Sequence, residues 1–195
     1  MTARLARYLT HPQVGIDPHQ PVSHWHLNAQ GQARVAALAR SGALRGTSRV
    51  ISSAETKAVE TATPLAEALE CPVEVRPAMH ENDRSSTGFL PPDAFEAMAN
   101  RFFATPHHSV EGWERAIDAQ ARILREVEAS LAQAGRGDVL FVGHGAVGTL
   151  LWCALSGAAI DRRHDQPGGG GCWFAFDTAT RAPLSAWQPL ETLIT

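Results

Sequence analysis

Between Asp138 and Leu151 the chain reads DVLFVGHGAVGTLL, and no other stretch restricts the fold as much. Four consecutive apolar residues, Val139 to Val142, predict a buried strand. Gly143, His144 and Gly145 predict a tight turn, and Ala146 to Ser156 a helix. A titratable histidine thus stands at the carboxyl end of a core strand, beside a helix N-terminus. Ligands bind at that edge of open α/β sheets, and the free N–H groups of a first helical turn attract anions. The stretch reads as half of a phosphate site whose other half lies upstream.

Upstream, Arg4 to Thr10 predicts a first strand that stops at Thr10-His11-Pro12, because Pro12 cannot donate to a ladder. Asn28 is a candidate N-cap for a helix carrying Val35, Leu38 and Ala39 and ending near Gly42. Arg49 to Ser52 predicts a second strand. A helix follows from about Glu55 to Leu69, kinked or divided at Pro64. Val73 to Val75 predicts a third strand, and the polar stretch MHENDRSSTG precedes a helix through Phe95, Met98, Phe102 and Phe103. Ser109 is read as the cap of a long helix reaching about Ala134 and ended by the Gly135-Arg136-Gly137 turn. Beyond the central strand and helix, Asp161 to Gly171 reads as a loop whose glycines, Gly168 to Gly171, form a lid or a plain connection. Cys172 to Phe176 and Pro183 to Trp187 read as closing strands. Alternating strands and helices, with no repeat or linker, predict one domain over residues 1–195. The expected fold class is a three-layer α/β/α sandwich with a largely parallel central sheet.

A net charge of −3 offers no electrostatic case for a nucleic-acid or membrane partner. No apolar run approaches a membrane span, and the start MTARLARYLT lacks a secretory apolar region. Cys71, Cys153 and Cys172 are odd in number and not spaced for metal, which suits reduced thiols and a cytoplasmic protein. Trp25, Trp113, Trp152, Trp173 and Trp187 read as core or pocket wall. His24 and His26 alternate like metal ligands, and His19, His107 and His108 are candidates to join them, but no third ligand stands at fixed spacing, so surface histidines are the reading taken.

Two strands end in histidine, His11 and His144, and neighbouring parallel strands would bring both to one sheet edge. A third strand ends in Ser52-Ser53 and leads into a helix carrying Lys57. A fourth segment offers His80, Glu81, Asp83 and Arg84. These supply a nucleophile, cations and a carboxylic acid, the parts needed for phosphoryl transfer through a covalent intermediate.

Five segments in order now resemble the histidine phosphatase superfamily, also called phosphoglycerate mutase-like. Thr10-His11-Pro12 matches an Arg-His-Gly tripeptide. LNAQGQAR, from Leu27, is similar to a Leu-Thr-x-x-Gly-x-x-Gln-Ala helix start. SSAETKAVETA, from Ser52, resembles Ser-Ser-x-x-x-Arg-Ala-x-x-Thr-Ala. Met79-His80-Glu81 is similar to the acid motif and FVGHGAV to the second histidine motif. The resemblance covers nearly the whole chain and implies a metal-independent phosphatase without a cofactor, acting on a small phosphorylated substrate. By the resemblance, His11 becomes phosphohistidine and Glu81 protonates the leaving oxygen and then helps activate water. His144 and Lys57 bind phosphoryl oxygens. Asp83 is the rival acid.

Three departures stand out. Thr10 and Lys57 occupy arginine positions, and lysine keeps charge but loses the bidentate fork. Pro12 replaces a glycine and removes an N–H. Arg84 is expected to fold in as compensation, with Thr10, Gln13 and Gly145 as neutral contacts. Two other functions stay open. One is a weak relative that binds a phosphorylated ligand or partner. The other is a dinucleotide-binding enzyme, because Gly143-x-Gly145-x-x-Gly148 follows a strand and opens a helix, with Asp161 and Asp165 downstream. Substrate identity and oligomeric state are not readable from the sequence.

Overall fold

The computed structural model describes residues 4–133, 135 and 137–194. The central motif forms as expected: β4 runs from Asp138 to Gly143 and α5 from Gly145 to Ser156. Around it stand β1 (Leu5–Thr10), α1 (Ala29–Ser41), β2 (Thr47–Ser53), α2 (Thr56–Ala68) and β3 (Val73–Arg76). The remaining elements are α3 (Pro92–Ala104), α4 (Ala116–Leu131), β5 (Cys172–Asp177) and the short β6 (Gln188–Pro189). The six strands make one sheet in the order β3-β2-β4-β1-β5-β6. The first four are mutually parallel, β5 runs antiparallel to β1, and β6 runs antiparallel to β5.

The layers follow from strand alternation, since successive side chains point to opposite faces. Leu9, Val50, Leu140 and Val142 pack with Val35 and Leu38 of α1 and Ala62 and Leu65 of α2. Tyr8, Ile51, Val139 and Phe141 pack on the other face, with Phe102 of α3, Ile123 of α4 and Leu150 of α5. β1 and β4 pair in parallel register, Thr10 opposite Gly143. The residues that follow, His11 and His144, therefore leave the sheet side by side.

Local sequence explains most boundaries. Asn28 Oδ1 accepts from Gly31 N at 2.9 Å, and Gly42 closes α1 in the left-handed region. Three expectations are corrected. Of the two outcomes expected at Pro64, a kink or a division, division does not occur, and α2 continues from Thr56 to Ala68. That helix buries Ala58, Ala62, Leu65 and Ala66, and core packing of this face outweighs one missing N–H. Ser109 is not the cap of a long helix. Its hydroxyl donates to Trp113 O, while Glu111 and Gly112 have positive φ, so the helical path breaks and α4 starts only at Ala116. The expected strand at Pro183 to Trp187 shrinks to one bridge, Phe176 with Pro183, and the edge strand is Gln188–Pro189. Prolines at both ends cannot donate to a ladder. Ala134 and Arg136, part of the expected helix end and turn, lie outside the described residues.

The glycine-rich loop is a pinned connection. Gly169, Gly170 and Gly171 all have positive φ, and Gly171 N donates to His11 O at 2.9 Å. A side chain at Gly170 would meet His11 O at 2.5 Å, so the loop can follow this path only as glycine. No helix among the described residues is long and apolar enough to cross a membrane.

Candidate active site

His11 and His144 meet edge to face, with ring centroids 5.3 Å apart. His11 N donates to Gly143 O at 3.0 Å, which continues the β1–β4 ladder by one residue and fixes the backbone that carries the ring. His11 Nδ1 lies 2.9 Å from Pro12 O. A carbonyl can only accept, so Nδ1 carries the proton and Nε2 keeps its lone pair. Burial, then the nearby Lys57 charge, pushes the His11 pKa down to about 4. The ring is therefore neutral near pH 7.

His144 is fully buried and is the N-cap residue of α5. Its backbone N–H donates to the Tyr8 hydroxyl at 3.1 Å, which locks the turn to β1. Nε2 is 2.8 Å from Ser53 Oγ and 3.6 Å from Glu55 Oε1, whereas Nδ1 is buried with no partner. Burial depresses the His144 pKa well below the ordinary histidine value. An unpaired ring nitrogen in a buried site is costly unless a ligand meets it.

Glu81 corrects the expectation that the N-terminus of α5 is open to anions. Its carboxylate already accepts there, from Ala146 N at 3.1 Å and Val147 N at 3.0 Å, and also from Asn82 N at 3.0 Å. Burial raises the Glu81 pKa, and it prevails over the Arg84 charge and these N–H donors, which pull the other way. Asp83 differs. It is exposed, and the Ser85 hydrogen bonds lower its pKa.

Lys57, at 3% exposure, reaches the site from the first turn of α2. Its ammonium donates to Glu55 Oε2 and, at 2.8 Å, to Val22 O. Burial pushes the Glu55 carboxyl upward, but its charge and hydrogen-bond partners win and hold it well below the ordinary range. Since His144 is neutral near pH 7, Lys57 is the cationic partner that matters there. Arg84 lies with its guanidinium carbon 4.7 Å from the Phe95 ring centroid. Among the described residues its guanidinium makes no hydrogen bond or ion pair, and only its carbonyl is engaged, by Thr87 and Gly88.

A cleft of about 690 Å³ opens beside these groups. Glu55, His80, Glu81, Asn82 and Arg84 form its polar wall, and Pro18, Pro21, Val22 and Phe89 its apolar wall. Asn82 is buried and its Nδ2 has no partner. His11, His144 and Lys57 lie behind this lining, and Thr10 and Gln13 are also outside it and point to structural partners. Thr10 Oγ1 donates to Gln166 Oε1 at 2.7 Å and accepts from Cys172 N at 3.0 Å, while Gln13 Oε1 accepts from Arg34 at 3.0 Å. Gly145 is covered by the Gln166 amide, which any side chain there would strike.

The reading therefore gathers His11, His144, Lys57, Glu81 and Arg84 and leaves Thr10, Gln13 and Gly145 to structural contacts. It misses Glu55, Asn82 and Gln166. The Glu55–Lys57 charge pair at the start of one helix was the available signal for the first; the other two gave none. The three glycines of the dinucleotide pattern have other employment. Gly143 and Gly148 make room for the Tyr8 ring, and Gly148 also for Trp187. The helix N-terminus that would hold a pyrophosphate holds Glu81. Among the described residues no three His, Cys, Asp or Glu side chains are grouped to hold a metal, and His26 pairs with Glu60 at 2.6 Å.

Comparison with known proteins adds three findings. The model of the histidine phosphatase superfamily, branch 1, matches residues 14–183, beginning just past His11. A search of curated proteins gives no match. Among solved structures, Bacillus stearothermophilus YhfR is 19% identical with a TM-score of 0.79, covering 94% of this chain and 96% of its own. A mycobacterial glucosyl-3-phosphoglycerate phosphatase is 21% identical with a TM-score of 0.72, covering 95% and 96%. A phosphoserine phosphatase from Entamoeba histolytica is 14% identical with a TM-score of 0.76, covering 97% and 99%. At these identities the likeness concerns the fold.

Proposed function

Because this chain belongs to the histidine phosphatase superfamily, branch 1, we propose that it is a metal-independent phosphatase acting on a small phosphomonoester through a phosphohistidine intermediate. The observation that carries the proposal is the His11 tautomer. With Nδ1–H tied to Pro12 O, the Nε2 lone pair is free and the ring is neutral near pH 7. In the first step Nε2 bonds to phosphorus, and the bond from phosphorus to the leaving oxygen breaks. Glu81, the buried carboxyl with the raised pKa, gives that oxygen its proton. In the second step water attacks phosphorus, Glu81 takes the water proton, and the N–P bond breaks to return His11 and inorganic phosphate. Asp83 is poorly suited to this work because it is exposed and held anionic.

Charge on the phosphoryl oxygens is met by Arg84, whose guanidinium forms no ion pair among the described residues, and by the unpaired His144 Nδ1 and Asn82 Nδ2. Lys57 contributes less, since Glu55 already neutralises it. That pairing favours a second reading, a weak relative that binds a phosphorylated ligand without turnover. Relatives of the same fold are named as phosphatases of glucosyl-3-phosphoglycerate and of phosphoserine, which supports a phosphomonoester as the substrate class. Residues 1–195 are read as one such domain. Three unpaired cysteines suit a reducing, cytoplasmic setting.

The test is metal-free hydrolysis of p-nitrophenyl phosphate by wild type and His11→Ala, with phosphate titration alongside. Turnover lost in the variant supports the proposal. Equal rates refute His11 as nucleophile. Phosphate binding with no turnover on this ester or on a panel of phosphomonoesters favours the second reading.

A further inference from the structure

The Glu55 carboxylate occupies donors beside the proposed phosphoryl seat, the Lys57 ammonium among them. Its Oε2 accepts from Lys57 Nζ. Its Oε1 accepts from Glu81 N at 2.9 Å and stands 3.6 Å from His144 Nε2. One carboxylate thus engages a cation and a backbone N–H and sits beside the second imidazole. The Lys57 side chain is only 4% exposed, so its charge is balanced by Glu55 rather than by water. Glu55 itself is 11% exposed and faces the cleft.

We infer that Glu55 is an internal anion that competes with phosphate for these donors and so determines the affinity of the site for phosphoryl groups. The inference rests on the phosphatase reading and extends it. A carboxylate and a phosphate oxygen accept from the same donors with similar geometry. An incoming dianion must displace the carboxylate from Lys57 or approach a like charge in a part-buried site where water screens little. Either route weakens binding of ester and of released phosphate alike. Arg84, held over Phe95 with no ion pair of its own among the described residues, becomes the main cation of the cleft. Glu55 is not a proton donor, because its pairing keeps it ionised.

The experiment titrates inorganic phosphate into wild type, Glu55→Gln and the double variant Glu55→Gln/Lys57→Met at pH 7, with vanadate inhibition of p-nitrophenyl phosphate turnover as a second readout. Glutamine keeps the shape and removes the charge. The expected result is about tenfold tighter phosphate binding in Glu55→Gln, equivalent to about 1.4 kcal/mol. The gain should disappear when Lys57 is also removed, since the released ammonium supplies it. Glu55→Ala gives the same order of affinities should the glutamine variant not fold. Unchanged or weaker phosphate binding by a folded Glu55→Gln overturns the inference and makes Glu55 a support for Lys57. In that case wild-type turnover that requires His11 leaves the phosphatase reading standing. Absence of phosphate binding and turnover in every variant overturns both.

Discussion

Replacing Glu81 with Gln separates the proton-donating role of this residue from its structural one. The wild-type carboxylate accepts three backbone N–H groups, from Asn82, Ala146 and Val147. The amide keeps one oxygen acceptor and turns an NH2 group toward at least one of these donors. Leaving a buried N–H unmet costs about 1–3 kcal/mol. For a chain of this size that lowers the melting temperature by about 2–12 °C. The chemical cost is separate. An alkyl phosphate releases an alkoxide and needs the proton, whereas p-nitrophenolate departs without one. Losing a positioned acid slows the alkyl ester by about 10²–10⁴, or ~2.7–5.5 kcal/mol in barrier. The first turnover on p-nitrophenyl phosphate should slow by less than about tenfold. Rapid-quench measurement of leaving-group release in that first turnover is the right assay, because Glu81 also serves the later hydrolysis of the intermediate. Equal slowing of the two esters refutes the acid role. Full activity on both refutes any role in the chemistry.

Two further predictions follow from the same geometry. The pH profile of kcat/KM for an alkyl phosphate should have its acid limb near pH 4, where His11 takes up a proton, and its fall should come above the ordinary carboxylate range, as Glu81 ionises. Stability obeys the same sign: between pH 4 and the ordinary histidine value the unfolded chain binds more protons at His11, so stability rises with pH there and falls as pH drops toward 4. An acid limb at the unperturbed histidine pKa would contradict the burial of His11. Arg122→Gln should lower kcat for alkyl esters more than it raises KM, and shift the alkaline limb. Arg122 donates to Ala78 O and His80 O, both at 2.8 Å, and pairs with Glu114 at 2.7 Å, so it holds the segment that presents Glu81. A fall in melting temperature with kcat and the pH profile unchanged would reduce Arg122 to a structural strut.

The two histidines were legible because strand ends are local features. An apolar run closed by Gly-His-Gly, and a strand halted by Pro12, need no knowledge of distant residues, and parallel register then brings them together. Cap chemistry was equally local at Asn28. Ser109 offered the same local signal and failed, because positive φ at Glu111 and Gly112 belongs to the loop path and not to the cap residue. The N-terminus of α5 was misjudged for a related reason. Its sequence fixes four unmet N–H groups but says nothing of Glu81, 65 residues away, which arrives to meet two of them. The roles of Asn82 and Arg122 exist only once α4 and the segment after β3 are packed, and the Glu55–Lys57 pair, though local, does not by itself place Glu55 beside His144.

The exchange at Thr10 shows how such long-range partners rebuild a site. A threonine hydroxyl carries no charge and is too short to reach beyond the strand end, and here it bonds sideways to Cys172 N and Gln166. The Gln166 amide in turn covers Gly145, so the space over the helix start is filled by a neutral group. Lys57 is neutralised by Glu55. On the proposed reading the positive charge offered to phosphate therefore moves to Arg84, three residues after Glu81. Glu114 accepts from Asp83 N at 3.1 Å, and its own N–H donates to Asp83 O at 2.8 Å, which ties the intervening residue to the start of α4. Cation and acid thus share one anchored segment. A displacement of that segment would remove both at once, whereas in a site with strand-borne cations it would remove only the acid. Phosphate affinity should therefore fall together with kcat in Arg122→Gln, the opposite of what a strand-borne phosphate seat would give.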